Sequence, residues 1–167
     1  MNIQEINNFT KEIFINNFQN IFEKTPSIAI FVEKNRPFSN KQQLIDSFVH
    51  HFESLSLDNK KKIIKKHPDL GNKLKIRNDL TDMSKNEQKR AGLDSCTEDE
   101  FLLFNKMNNE FKLKFDIPFI YAVKGANKLM IIDEFKRRLK NNNIENEFSE
   151  SINQVKKIAF LRLNEII

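Results

Sequence analysis

Cysteine is all but missing from the 167-residue chain. Cys96 stands alone, so no internal disulfide framework can form, and a reducing compartment, the cytoplasm by default, suits it. Three Gly and four Pro are too few for a β-sandwich or a linker-rich array. No apolar run approaches a membrane span and no basic-then-apolar leader opens the chain, so no membrane partner is expected. There is no glycine-rich phosphate loop. The three histidines, His50, His51 and His67, form neither H-E-x-x-H nor E-x-x-H, and no second Cys exists to complete a zinc set. Neither a metal nor a cofactor is expected. A strong charge of one sign is lacking too: 28 basic and 23 acidic residues give +5, with both signs spread along the chain. The only dense basic cluster, residues 60–66, flanks Ile63 and Ile64 and reads as the solvated side of a helix, so no nucleic-acid partner is expected.

What remains is helix. The length suits one domain, residues 1–167, with one core. Thr10 can cap a helix with Ile13, Phe14, Phe18, Ile21 and Phe22 inward. Thr25-Pro26 starts a second, with Pro in the first turn where its missing N–H costs nothing. Ser39 and Gln42 have capping-box spacing ahead of Leu44, Ile45, Phe48, Val49 and Phe52. Asp58 can cap the helix that leads to His67, and residues 70–76 can make a further short turn. Ser84 and Glu87 repeat the box, with Gly92 placed to end that helix. Thr97 and Glu100 open a long helix with Phe101, Phe104, Met107, Asn108, Phe111 and Phe115 inward. Residues 118–123 are apolar without helical periodicity, the one plausible extended segment. Asn127 caps another helix, and a last one runs over about residues 145–166. The expected fold is all-α, a single compact domain of about eight helices, several short.

Chemistry concentrates at few positions. In His67-Pro68-Asp69-Leu70-Gly71, His67 follows Ile63 and Ile64 by four and three, so it faces the same inner side. Pro68 ends the helix there, and Asp69 can cap a new turn. An inward imidazole at a helix end can transfer a proton near neutral pH, although a satisfied, half-buried histidine is the commoner arrangement. Arg162 lies on the inward stripe of the last helix, with Val155, Ala159 and Ile166. It needs a carboxylate or carbonyls, and an internal ion pair and a clamp for a planar anion both meet that need. Ser84 and Glu87 form either a cap or a small polar nest, and their spacing favours the cap.

These stretches together resemble the 2-oxo-4-hydroxy-4-carboxy-5-ureidoimidazoline (OHCU) decarboxylases of urate degradation. The matching stretches run in family order: Ile21-Phe22-Glu23, Arg36-Pro37-Phe38, His67-Pro68-Asp69-Leu70, Ser84 with Glu87-Gln88, Ala91-Gly92-Leu93, Asn108, Lys114-Phe115, Pro118-Phe119-Ile120, Arg138-Leu139, Glu147 and Arg162-Leu163. The resemblance implies an all-α, usually homodimeric, cofactor-free enzyme that makes (S)-allantoin from OHCU. It implies His67 as the acid/base, Pro68 as shaping the site and Ser84 as lining it. Glu87 and Arg162 would hold substrate, and the backbone at Phe119 and Ile120 would contact it. Ser27 stands where the family usually has Trp, and Ser151-Ile152 where Ala-Leu is common; both read as packing positions. The competing expectations are a relative acting on another ureido or imidazoline compound, and a non-catalytic helical module. That module would bind nucleic acid or protein through residues 60–66, with His67 exposed.

Overall fold

In the computed structural model, residues 1–72 and 80–167 are described. They form nine α-helices and one 3-10 turn, with no strand among the described residues. The helices are α1 (Ile3–Asn7), α2 (Lys11–Phe18), α3 (Pro26–Glu33), α4 (Lys41–Ser54), α5 (Leu57–Lys65), α6 (Asp82–Arg90), α7 (Glu98–Phe115), α8 (Lys128–Leu139) and α9 (Ile144–Ile166). The turn expected at residues 70–76 lies, from residue 73 on, outside the described residues. The chain divides into two compact units, Met1–Ile63 with Lys156–Ile167, and Ile64–Val155.

In the first unit α3 packs against both α2 and α4. Its core is aromatic: Phe14 lies 4.6 Å from Phe18, and Phe22 lies 4.7 Å from Phe52, centroid to centroid. Each of these rings is fully buried, which stabilises by about 1.5–3 kcal/mol apiece. Thr10 caps α2 and Thr25-Pro26 starts α3 as expected, whereas the caps of α4 and α5 differ by a residue or two. Asn40, not Ser39, accepts from the Gln43 N–H, while the Ser39 N–H and hydroxyl donate to Gln43 Oε1. Ser56, not Asp58, takes the Asn59 N–H. Ile13 points outward, and Ile21 and Phe22 are buried just past the end of α2. Ser27 is exposed on α3, so it is no packing position within this chain. His51 stacks under Phe31 with rings 3.7 Å apart, and burial pushes its pKa down.

The second unit is built on α7. The Thr97 side chain accepts from the Glu100 N–H, and the Glu100 carboxylate accepts from the Thr97 N–H, the expected capping box. Phe104, Met107, Asn108, Phe111 and Phe115 are buried along one side, while Phe101 is half-buried. α8 packs on α7, capped by Asn127 as expected. The expected extended segment, residues 118–123, is unpaired and mostly buried. Phe119 is stacked on Phe135 at 3.8 Å and meets Phe111 edge-on at 5.3 Å.

Candidate active site

The segment after α5 is a tethered loop. The His67 N–H donates to the Ile64 carbonyl at 3.0 Å and closes the last turn of α5. Pro68 then blocks further helix. His67 is 8% exposed. Asp69, Leu70 and Gly71 are each tied from a neighbouring helix. The Asp69 carboxylate meets Lys112 Nζ at 2.8 Å, and its carbonyl accepts from Gln88. The Leu70 carbonyl accepts from Asn108 Nδ2 at 2.9 Å. The Gly71 N–H donates to Gln88 Oε1 at 3.1 Å. Gly71 has φ +70°, and a Cβ there would come 2.6 Å from the Phe104 ring, so both the backbone and the close approach call for glycine.

α6 anchors the loop through Gln88. It is capped by Thr81, whose hydroxyl oxygen accepts from the Ser84 N–H. Ser84 is therefore the third helical residue and Glu87 sits in the second turn. The expected Ser84–Glu87 capping box does not form, because Thr81 occupies the cap three residues earlier. Ser84, Glu87 and Gln88 share one side of α6 by their spacing. Ser84 and Gln88 are buried, Glu87 is half-buried, and Gln88 reaches the His67 loop.

A cavity of about 290 Å³ opens beside the loop, lined by Lys65, His67, Asp69, Lys112, Asp116, Ile117 and Pro118. Phe119 and Ile120 follow directly and are buried. The Ile120 carbonyl accepts from Arg138, a fully buried guanidinium that also pairs with Glu147, bonds Ser151 Oγ at 3.1 Å and lies 4.6 Å from the Phe119 ring centroid. Ser151, expected as a packing position, is thus a hydrogen-bond partner. Ser151→Ala is expected to cost about 1 kcal/mol, a fall of about 2–4 °C in melting temperature. An unchanged melting curve would mean that the hydroxyl adds nothing to the ion pair.

His67, Pro68, Ser84, Glu87, Phe119 and Ile120 all belong to the second unit, and Arg162 to the first. Arg162 is buried on the α9 stripe, as expected. Its Nη1 lies 2.8 Å from the Asn20 carbonyl and 3.2 Å from Glu23 Oε2, a carboxylate that is itself fully buried. Sequence reasoning named Gln88 only within a motif, placed Asn108 inward on the long helix without a partner, and missed Lys112 altogether. A polar residue on an apolar helix side, such as Asn108, was the available signal, since burial demands partners. Asn108 Oδ1 has none among the described residues. In the basic run, Lys60 donates to the Glu53 carbonyl and Lys65 pairs with Asp116 at 2.8 Å. The exposed His67 that a binding module would require is not found.

The OHCU decarboxylase family model matches residues 7–164. The chain belongs to the OHCU decarboxylase family. This family member is 38% identical over 166 residues to the uric acid degradation bifunctional protein of Bacillus sp. (strain TB-90), covering 99% of this chain and 32% of that one. It is 34% identical to the 2-oxo-4-hydroxy-4-carboxy-5-ureidoimidazoline decarboxylase of Xenopus laevis, covering 99% and 94%. In fold it resembles an (S)-allantoin synthase crystal structure (TM-score 0.78, 22% identity, 100% of this chain and 54% of that one). It also resembles an OHCU decarboxylase crystallised in the presence of (S)-allantoin (TM-score 0.73, 17% identity, 95% and 98%). The chain thus spans about a third of the Bacillus protein, about half of the allantoin synthase and nearly all of the Xenopus enzyme. No helix among the described residues is long and apolar enough to cross a membrane.

Proposed function

We propose that this protein is a carboxy-lyase that converts OHCU to (S)-allantoin in urate degradation, with residues 1–167 acting as one catalytic domain. The observation that carries the reading is the family match over residues 7–164. The tethering of the His67 loop to α6 within one unit supports it.

The substrate bears a hydroxyl and a carboxylate on C4, beside an imine at C5. When the bond from C4 to the carboxylate breaks, its electron pair forms the C4–C5 double bond. The imine π pair moves onto nitrogen, which takes a proton. The resulting enol loses its hydroxyl proton as C5 gains one, giving a ketone at C4. One proton is taken up for each CO2 released. The substrate supplies its own electron sink, so the protein's tasks are orientation and proton delivery to one side of C5. In this reading His67 transfers the proton and Glu87 accepts ring or ureido N–H groups. Arg162, aligned by Glu23, holds a substrate oxygen. Pro68, Ser84 and the backbone at Phe119 and Ile120 shape the walls. The working form in this reading is a cytoplasmic homodimer that requires neither metal nor cofactor and binds no nucleic acid.

The test is freshly generated OHCU in the presence of chelator. Added protein should speed its decay and yield dextrorotatory (S)-allantoin, where spontaneous decay gives racemate. Product that stays racemic at high protein concentration overturns the assignment.

A further inference from the structure

We propose that Arg138 and Gln154 are positioning residues for the reaction: together they orient the backbone of residues 119–122, against which the substrate is seated. This rests on the reading that the backbone at Phe119 and Ile120 contacts substrate.

Residues 118–123 are extended, and among the described residues no strand pairs with them. A buried backbone without a ladder must find its hydrogen bonds elsewhere. Two side chains from different helices provide them. Arg138, on α8, donates from Nη1 to the Ile120 carbonyl. Gln154, on α9, accepts from the Ala122 N–H at 2.9 Å through Oε1. Both side chains are themselves held. Arg138 donates from Nε to the Glu147 carboxylate at 2.9 Å and from Nη2 to the Ser151 hydroxyl at 3.1 Å. Gln154 donates from Nε2 to Glu150 at 2.9 Å, one turn earlier on α9. All of these residues lie in the second unit, and Pro118, which opens the segment, lines the cavity beside His67.

Packing and hydrogen bonding divide the work. The Phe119 ring, stacked on Phe135, fixes where the segment lies. Apolar attraction has no direction, so it leaves the peptide planes free to rock. Hydrogen bonds are directional. The Ile120 carbonyl belongs to the peptide joining residues 120 and 121, and the Ala122 N–H to the next one. Two consecutive peptide groups are therefore aimed directly after Phe119 and Ile120. A buried ion pair often adds no stability over apolar residues of similar volume; what Arg138 and Glu147 supply here is aim. Lysine at position 138 would keep a cation beside the fully buried Glu147, but it lacks the fork that reaches Glu147 and Ile120 together.

The experiment is kcat and KM on OHCU, with a melting curve, for wild type, R138K, Q154M and the exchange variant E150Q/Q154E. R138K and Q154M should each raise KM about fivefold to tenfold, with kcat per folded molecule within about twofold. A seating contact is made in the ground state and the transition state alike, so its loss appears in KM. E150Q/Q154E keeps an acceptor for the Ala122 N–H and a partner at position 150, and should hold KM within about twofold of wild type. A merely structural role gives another pattern: melting falls, the active fraction shrinks and KM stays. A folded R138K or Q154M with KM within about twofold of wild type overturns the inference, as does E150Q/Q154E matching Q154M. Should R138K fail to fold, Q154M decides alone, since Gln154 is only half-buried. Wild type that turns over OHCU beside an unmoved KM in the variants sinks this inference alone. Wild type that does not turn over removes the decarboxylase reading and this inference with it.

Discussion

His67→Asn should leave the fold intact and remove nearly all turnover. The loop has ties that do not involve the side chain. The His67 N–H closes α5 on the Ile64 carbonyl, and residues 69–71 are tied by Lys112, Gln88 and Asn108. Asn offers a similar hydrogen-bonding end in a smaller volume, so the melting temperature should fall little. It has no proton to exchange near neutral pH, and general acid–base catalysis is worth about 10²–10⁴-fold. Residual product should drift toward racemate, because spontaneous protonation at C5 has no preferred side. Turnover is read from OHCU consumption and stereochemistry from optical rotation. Near-normal turnover with normal enantiopurity would return His67 to the role of a satisfied residue at a helix end.

Local chemistry was legible in the sequence at several helix starts. Thr97 and Glu100 pair as a box before α7, and Asn127 stands before α8, and both cap as expected. Where two polar residues precede a helix they compete, and spacing cannot choose between them. Asn40 displaced Ser39 because its amide oxygen reaches Gln43 N–H while Ser39 is satisfied by the Gln43 side chain. Thr81 displaced Ser84 by starting α6 three residues earlier. Long-range partners were not legible at all. The stripe on α9 showed that Arg162 is inward, but nothing local marked Glu23, 139 residues away, as its partner. The same holds for Lys112 and Asp69, 43 residues apart. Lys112 follows the buried Phe111 on α7 and is half-exposed, so periodicity alone places it at the edge of the helix, where a lysine calls for no explanation.

Glu87→Gln should melt almost as the wild type does and lose about tenfold to a hundredfold in kcat/KM. The stability half of that expectation follows from α6. Thr81 caps the helix and Ser84 is its third residue, so Glu87, in the second turn, has no reciprocal cap to lose. Its backbone carbonyl accepts from the Ala91 N–H whatever the side chain. Gln keeps the length and the helix propensity of Glu, and the helix-dipole contribution so far into the helix is at most about 0.3 kcal/mol. The activity half follows from valence. A carboxylate offers two acceptor oxygens to substrate N–H groups; Gln offers one, and turns an NH2 toward donors. Mismatched donors in a closed site cost about 1–3 kcal/mol, which is the tenfold to hundredfold range. Steady-state kinetics on OHCU and a melting curve, measured on the same preparation, separate the two halves. A lowered melting temperature with full activity per folded molecule would make Glu87 a structural residue of α6 and remove it from the substrate-holding set.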